Sequence, residues 1–151
     1  MPEQRYFDDV TVGDVLAPQE HAIGAVQMFL FSSATNNAHR IHYDYRWATE
    51  IEGHRDIVVH GPLQAALMAK MLTDWAGPRG QLVRISVRNQ RTAFAGELLV
   101  FTAEVVRKYH DGERALIDLR LAEKRDGMEV LMPGNATLRL PSRHEDDKDK
   151  S

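Results

Sequence analysis

Histidine is concentrated in one part of this chain. Four of its seven histidines, His39, His42, His54 and His60, lie within residues 39–60. An imidazole has an ordinary pKa of about 6.5, so it can accept or give up a proton at neutral pH and suits general acid–base catalysis. The chain has no cysteine, which excludes thiolate nucleophiles and thiolate metal sites. Any chemistry performed here must therefore use oxygen and nitrogen groups.

The spacing of these histidines leaves more than one role open. His39 and His42 could present two imidazoles to one metal ion, with Asp44 as a further ligand. A histidine beside a helix is also commonly a structural residue that hydrogen-bonds within its loop, and this is the simpler role for His60.

A buried helix is predicted directly after the last of these histidines. Proline favours the first turn of a helix, so Gly61-Pro62 indicates where the helix begins, and Gly77-Pro78 indicates where it ends. Apolar side chains recur on nearly every face between these points. We therefore expect the helix to be enclosed on all sides by other elements.

A second helix is predicted upstream, from about Ala25 to Thr35, with an apolar stripe formed by Val26, Phe29 and Leu30. Downstream of the central helix the sequence changes to four strand-like runs, LVRISVRNQR, LLVFTAEVVRKY, RALIDLRLAEKR and EVLMPGNATLRL. Asp-Gly pairs separate the last three runs, and such pairs are strong hairpin signals. Helices followed by an antiparallel meander indicate an α+β fold.

Length and composition limit the number of domains, the partners and the location that the chain can have. Its 151 residues fit one globular domain, predicted over residues 1–141, and residues 142–151 form a polar tail too poor in apolar side chains to fold. The net charge of −3 gives no field that would gather nucleic acid. The acidic N-terminal residues are unlike a signal peptide and the longest apolar stretch is too short to span a membrane, so we expect a cytoplasmic protein without membrane or nucleic-acid partners.

Two segments carry a resemblance to a known family. They read NAHRIHYD over residues 37–44 and VVHGPL over residues 58–63. Together with Arg5-Tyr6-Phe7 and Val12-Gly13-Asp14, they resemble the MaoC-like hydratases, especially the subgroup of mitochondrial-type 3-hydroxyacyl-thioester dehydratases and mesaconyl-CoA-type hydratases. The resemblance runs from about Arg5 to Leu140.

This resemblance implies a hot-dog fold, in which an antiparallel sheet wraps a long helix, and a homodimer or higher oligomer that builds the active sites. It implies addition or removal of water across the α,β double bond of an acyl thioester carried by coenzyme A or by acyl carrier protein. Dicarboxylic acyl groups of the mesaconyl or itaconyl type are candidate substrates. Coenzyme A would enter as part of the substrate, and the family needs neither a metal nor another cofactor.

The resemblance also implies catalytic positions. His42 stands at the family's catalytic histidine, where a neutral imidazole can deprotonate water, and Gly61 supplies an N–H at the helix start that can stabilise the thioester oxygen. Asn37 stands where the general pattern has an aspartate. Because an amide can orient water but cannot exchange a proton with it, either His42 cycles the proton alone, which we prefer, or Asp44 or His39 assists.

Further residues are expected to bind the substrate or support the catalytic groups: His39, Arg40, Asp44 and His60. His39 and Arg40 replace the Asn-Pro of the general pattern, and His60 is expected to position Gly61. Arg84 and Arg88 share one face of a predicted strand and could contact coenzyme A phosphates, although a solvated or interfacial strand face is the simpler explanation.

Two other functions stay open from the sequence. Hot-dog thioesterases hydrolyse the same thioesters, usually with a carboxylate near the helix start, and His60-Gly61-Pro62 has no neighbouring acid. The third possibility is a non-catalytic acyl-CoA-binding subunit of a hetero-oligomer, which the amide at Asn37 suggests.

Overall fold

A computed structural model describes residues 3–143. Its regular elements are β1 (Gln19–Ala22), α1 (Ala25–Ala34), α2 (Gly61–Ala76), β2 (Gln81–Val87), β3 (Leu98–Asp111), β4 (Arg114–Arg125) and β5 (Glu129–Arg139). Short helical turns lie at Phe7–Asp9, Arg40–His42 and Trp47–Ile51. Residues 144–151 of the predicted polar tail lie outside the described residues. The domain boundary at residue 141 stays a prediction.

Within residues 3–143 five strands form one antiparallel sheet in the order β1-β3-β4-β5-β2. The hairpins predicted at the two Asp-Gly pairs are confirmed, since they join β3 to β4 and β4 to β5. Gly112 and Gly127 have φ angles of 61° and 72°, a conformation that glycine adopts without steric cost. The three longest strands therefore form a continuous meander.

Helix α2 packs against the inner face of this sheet. Its ends agree with the prediction, because Pro62 lies in the first turn and Gly77, with a φ of 81°, ends the helix. Buried side chains of helix and sheet join in one apolar core, which includes Met68, Leu72, Phe101, Leu119 and Leu138. The predicted α+β hot-dog arrangement, a long helix held by an antiparallel sheet, is confirmed.

One side of α2 is left uncovered in the single chain. Exposed residues recur along this side about one turn apart: Pro62, Ala66, Lys70 and Thr73. The sheet covers one side of the helix, so the opposite stripe faces outward. The prediction that α2 is enclosed on all sides is therefore wrong for the single chain.

Helix α1 has about the predicted extent, and its apolar stripe faces outward. Val26, Phe29 and Leu30, which form the predicted apolar stripe, are 74%, 57% and 60% exposed. The side chains that α1 buries are Met28 and Ser32, which lie one turn apart. The helix thus directs a narrow face inward and an apolar face outward, an outcome that hydrophobicity by itself could not predict.

The sheet contains one buried carboxyl group. Glu123 on β4 pairs with Phe101 on β3 and Met132 on β5, and its side chain is fully buried. Neither of its carboxyl oxygens has a hydrogen-bond partner among residues 3–143. Burial disfavours the charged form and raises the pKa of Glu123 to about 7. This carboxyl therefore holds its proton more tightly in the folded protein than in the unfolded chain.

We predict a pH-dependent cost of Glu123 to stability. Below pH 4.5, the ordinary pKa of the group, both states are protonated. As the pH rises towards 7, the unfolded chain ionises first, so stability decreases by about 3 kcal/mol and then levels off. Glu123→Gln removes this term, so the difference in unfolding free energy between variant and wild type should grow by that amount between about pH 4 and pH 8. Urea unfolding at several pH values measures it, and parallel curves would contradict the assignment.

Candidate active site

The loop that carries the histidines begins at a defined helix end. The N–H of Asn36 donates to the Ser33 carbonyl at 3.3 Å, and the N–H of Asn37 donates to the Ser32 carbonyl at 2.8 Å. Asn36 has a φ of 53°, a left-handed conformation that asparagine tolerates better than most residues. This pattern is a Schellman motif with asparagine in place of glycine. It turns the chain out of α1 and towards His42.

The tautomer of His42 follows from its geometry. Its Nδ1 lies 2.7 Å from the carbonyl oxygen of Val58. A carbonyl can only accept, so Nδ1 must carry the hydrogen and Nε2 keeps its lone pair. Burial lowers the pKa of His42; the bond to Val58 raises it in part, and the nearby His39 lowers it further. At neutral pH His42 is therefore a neutral imidazole with a free basic nitrogen.

His60 stacks directly on His42. The ring centroids are 3.8 Å apart and the planes differ by 18°. His60 is fully buried, and its Nε2 lies 2.7 Å from Oγ of Ser32 on α1. Burial, together with the neighbouring His42, lowers the pKa of His60 to about 4. His60 consequently stays neutral at physiological pH and supports the ring of His42 instead of exchanging protons itself.

His42 and Gly61 line the same cleft. The cleft has a volume of about 240 Å³, and its wall also contains Val58, Val59, Gln64 and residues 89–93. Gly61 begins α2, where the N–H groups of the first turn have no partner within the helix. A Cβ on Gly61 would lie 2.1 Å from Nδ2 of Asn89, so a side chain here would displace Asn89. Two of the three residues that the sequence selected for chemistry, His42 and Gly61, are thus brought together.

Asn37 lies elsewhere. Its Oδ1 accepts the N–H of His39 at 3.1 Å, which stabilises the turn of the loop. It lines a separate pocket of about 290 Å³ whose wall includes Phe29, Ser32 and Tyr43. In the single chain, Asn37 and His42 therefore do not face one common cleft.

The remaining loop residues interact mainly with one another. Arg40 donates from Nε and Nη2 to Oδ2 of Asp44 at 3.0 and 2.6 Å, and its guanidinium lies 4.1 Å from the Trp47 ring centroid. The N–H of Trp47 and the Arg40 guanidinium lower the pKa of Asp44, which is therefore ionised. His39 is exposed, with Nε2 at 3.6 Å from Oε1 of Glu52. Within residues 3–143 no three histidine, aspartate or glutamate side chains are grouped as metal ligands.

Arg84 and Arg88 do not line the cleft of His42 and Gly61. Arg84 pairs with Thr137 across β2 and β5 and shares a surface pocket with Asp118 and Arg120. Arg88 lies one residue beyond the end of β2. A register shift lies between Leu82 and Arg84, and the pairing with β5 is regular from Arg84 to Val87, with Arg84 and Arg88 both exposed.

Three polar residues of this region were not predicted from the sequence: Ser32, Gln64 and Asn89. Ser32 is buried against His60, Gln64 is a polar side chain in the otherwise apolar α2, and Asn89 packs on Gly61. Gln64, a polar residue in a predominantly apolar helix, could have been recognised from the sequence as a candidate site residue. The contacts of Ser32 and Asn89 connect distant segments and had no local signal.

We predict that the Ser32–His60 hydrogen bond contributes to stability. Ser32→Ala leaves His60 without its partner in a buried site, and we expect a loss of about 1–3 kcal/mol in unfolding free energy. Ser33→Ala is the matched control, because Ser33 is exposed on the same helix. Urea unfolding of both variants measures the difference. Equal stabilities would show that the contact contributes nothing.

Comparison with known proteins places the chain in a family. The model of the hydroxyacyl-thioester dehydratase type 2 family matches residues 13–95, more than half of the chain. Mesaconyl-C(4)-CoA hydratase of Chloroflexus aurantiacus is 52% identical over 44 residues. That stretch is 29% of this chain and 16% of the hydratase, so the chain matches a small part of that relative's length.

Solved structures show the fold. The (R)-hydratase from A. caviae involved in PHA biosynthesis has a TM-score of 0.77 at 21% identity, over 88% of this chain and 98% of that one. A chain of the ChsH1–ChsH2 complex from Mycobacterium tuberculosis has a TM-score of 0.75 at 23% identity, over 86% and 98%. With the family match, these findings confirm the resemblance carried by residues 37–44 and 58–63. The chain belongs to the hydroxyacyl-thioester dehydratase type 2 family.

Proposed function

We propose that this protein adds water to, or removes it from, the α,β double bond of an acyl-CoA thioester. The observation that carries the proposal is the geometry of His42. Its bond to Val58 leaves the Nε2 lone pair free, and His42 lines one cleft with Gly61 at the start of α2. Membership of the dehydratase family supports the same reaction.

In this reaction His42 transfers the proton and Gly61 stabilises the thioester oxygen. In hydration, Nε2 of His42 takes a proton from water while the water oxygen bonds to C3 of the enoyl thioester. The electrons of the double bond move onto the thioester oxygen, where the N–H of Gly61 and the positive end of α2 stabilise the enolate. The imidazolium then returns the proton to the α-carbon and the carbonyl re-forms. Dehydration follows the same steps in reverse.

One base suffices for this cycle. Asn37 lines another pocket and its amide cannot exchange protons, and Asp44 is held by Arg40. His60 stays neutral because its pKa is about 4. The lowered pKa of His42 makes its protonated form a ready donor to carbon, so the proton that it takes from water can be delivered without a second acid.

The substrate is proposed to be a coenzyme A thioester, with acyl carrier protein as the alternative carrier and no separate cofactor. Similarity to mesaconyl-C(4)-CoA hydratase supports a short dicarboxylic acyl group. Contacts of Arg84 or Arg88 with coenzyme A phosphates would lie outside this cleft, because neither residue lines it.

The proposal includes a homodimer and a cytoplasmic location. The exposed apolar side chains of α1, Val26, Phe29 and Leu30, support association, because apolar surface favours burial. The cysteine-free composition fits a compartment in which disulfides do not form. Within the described part of the chain no helix is long and apolar enough to cross a membrane. Light scattering of the purified protein measures the subunit number.

Thioester hydrolysis is the competing reaction. The residues that line the cleft of His42 include no aspartate or glutamate to activate water for attack on the carbonyl. Release of free thiol from acyl-CoA, without loss of the enoyl absorbance, would favour a thioesterase. Binding of acyl-CoA without any turnover would favour a non-catalytic subunit.

We predict that His42→Ala strongly slows hydration of a panel of enoyl-CoA substrates that includes mesaconyl-CoA. Loss of the base should reduce kcat/KM by roughly 10²- to 10⁴-fold. His110→Ala is the control, because His110 is exposed on β3 and contacts Phe7. Absorbance of the enoyl thioester measures the rate, and equal activity of the two variants would reject the role of His42.

The pH dependence of the reaction is predicted from the same residue. Hydration needs neutral His42, and its pKa lies below the ordinary value of 6.5. We expect the decrease of kcat/KM on the acid side to reach half of its maximum below about pH 6.5 and to approach tenfold per pH unit at lower pH. A half-maximal point at or above pH 6.5, the ordinary pKa of the group, would contradict this assignment.

A further inference from the structure

Gln64 is a buried polar residue in the first turn of α2. Its side chain is 2% exposed although most of its neighbours on the inner face of the helix are apolar. Its Nε2 donates to the carbonyl oxygens of Val59 and His60 at 3.2 and 3.3 Å. Carbonyl oxygens can only accept, so these bonds fix which end of the amide is Nε2 and which is Oε1.

The other end of this amide is an unused acceptor. Within residues 3–143, Oε1 of Gln64 has no hydrogen-bond partner. Gln64 lines the same cleft as His42 and Gly61. A buried acceptor without a donor is unfavourable, so a ligand in the cleft that donates a hydrogen bond to Oε1 would remove this cost.

The chemistry of the cleft limits what that ligand can be. Nε2 of His42 and Oε1 of Gln64 are both acceptors, and an acyl chain has no hydrogen to donate to either. Water has two O–H groups and can donate to both acceptors at once. The 3-hydroxyl of a hydrated acyl group has one O–H and can donate to Oε1 while its oxygen faces His42.

We propose that Oε1 of Gln64 binds the attacking water and the 3-hydroxyl group of the substrate, as the second acceptor beside His42. The inference rests on the proposed hydration reaction. In that step, one O–H bond of water transfers its proton to Nε2 of His42, and the other stays intact as the hydroxyl that bonds to C3. Gln64 holds the intact O–H and thereby directs an oxygen lone pair at C3. Oδ1 of Asn37 already accepts the His39 N–H, so Gln64 and not Asn37 is the second acceptor for the water.

Two stable ligands isolate this contact. In the thioethers 3-hydroxybutyl-CoA and butyl-CoA a methylene group replaces the thioester carbonyl, so the α-protons are not acidic and no water is eliminated. The two ligands differ by a single hydroxyl group. Calorimetry on the wild-type protein should show that the hydroxylated ligand binds about tenfold more tightly, because a site built around a hydroxyl rejects the analogue that lacks it.

Gln64→Met and Gln64→Leu remove the amide while keeping an apolar side chain of similar length or volume. In either folded variant, the preference for the hydroxylated thioether should disappear while binding of butyl-CoA changes less than about twofold. Gln81→Met is the matched control, because Gln81 is exposed at the start of β2 and should leave the preference intact. A merely structural role for Gln64 would weaken binding of both ligands alike.

The outcome is decisive in each direction. If the wild type binds the two thioethers equally, or if the Gln64 variants keep the preference, the proposal is wrong. Because these ligands do not react, the result is independent of turnover. A wild type that prefers the hydroxylated ligand but hydrates no enoyl-CoA would overturn the proposed reaction and leave the hydroxyl site at Gln64 in place.

Discussion

The hydrogen bond from Nδ1 of His42 to the Val58 carbonyl is the contact on which the site depends. It fixes the ring orientation and the tautomer together, so the basic nitrogen needs no reorganisation before it acts. Val58 is itself anchored, because its N–H donates to the Ile41 carbonyl at 2.9 Å. The next residue, Val59, donates to Ala93 on the opposite wall. This short segment therefore connects the histidine loop, the start of α2 and the far side of the cleft.

A second layer of contacts supports the first. His60 stacks on His42 and is hydrogen-bonded to Ser32, so one buried polar pair connects α1 to the His42 ring. The Schellman motif at the end of α1 fixes where the loop departs. Polar groups buried in this way are costly unless they are paired, so the bonds of His42 to Val58 and of His60 to Ser32 stabilise a loop that contains little regular structure.

Features with a local cause could be predicted from the sequence. Pro62 and Gly77 set the ends of α2, and the Asp-Gly pairs set two hairpins, because each of these depends on backbone geometry at a few neighbouring residues. The sequence segments around His42 and Gly61 indicated that these two residues lie in the same site. The direction of the α1 stripe and the partner of Ser32 could not be predicted, because they depend on where the sheet and the loop lie in space. The place of Asn37 in a different pocket likewise follows from the path of the whole loop.

The two walls of the cleft differ in their secondary structure. One wall contains His42, fixed by Val58, and the first turn of α2, whereas the other is residues 89–93, which form no regular element. The backbone of that second wall is tied to the sheet, since the N–H groups of Gln90 and Arg91 both donate to the Leu131 carbonyl. The side chains of residues 89–92 are exposed, so substitutions there can reshape the cleft while the bond of His42 to Val58 stays in place. For the proposed hydration, such substitutions give evolution a way to change which acyl groups enter the cleft.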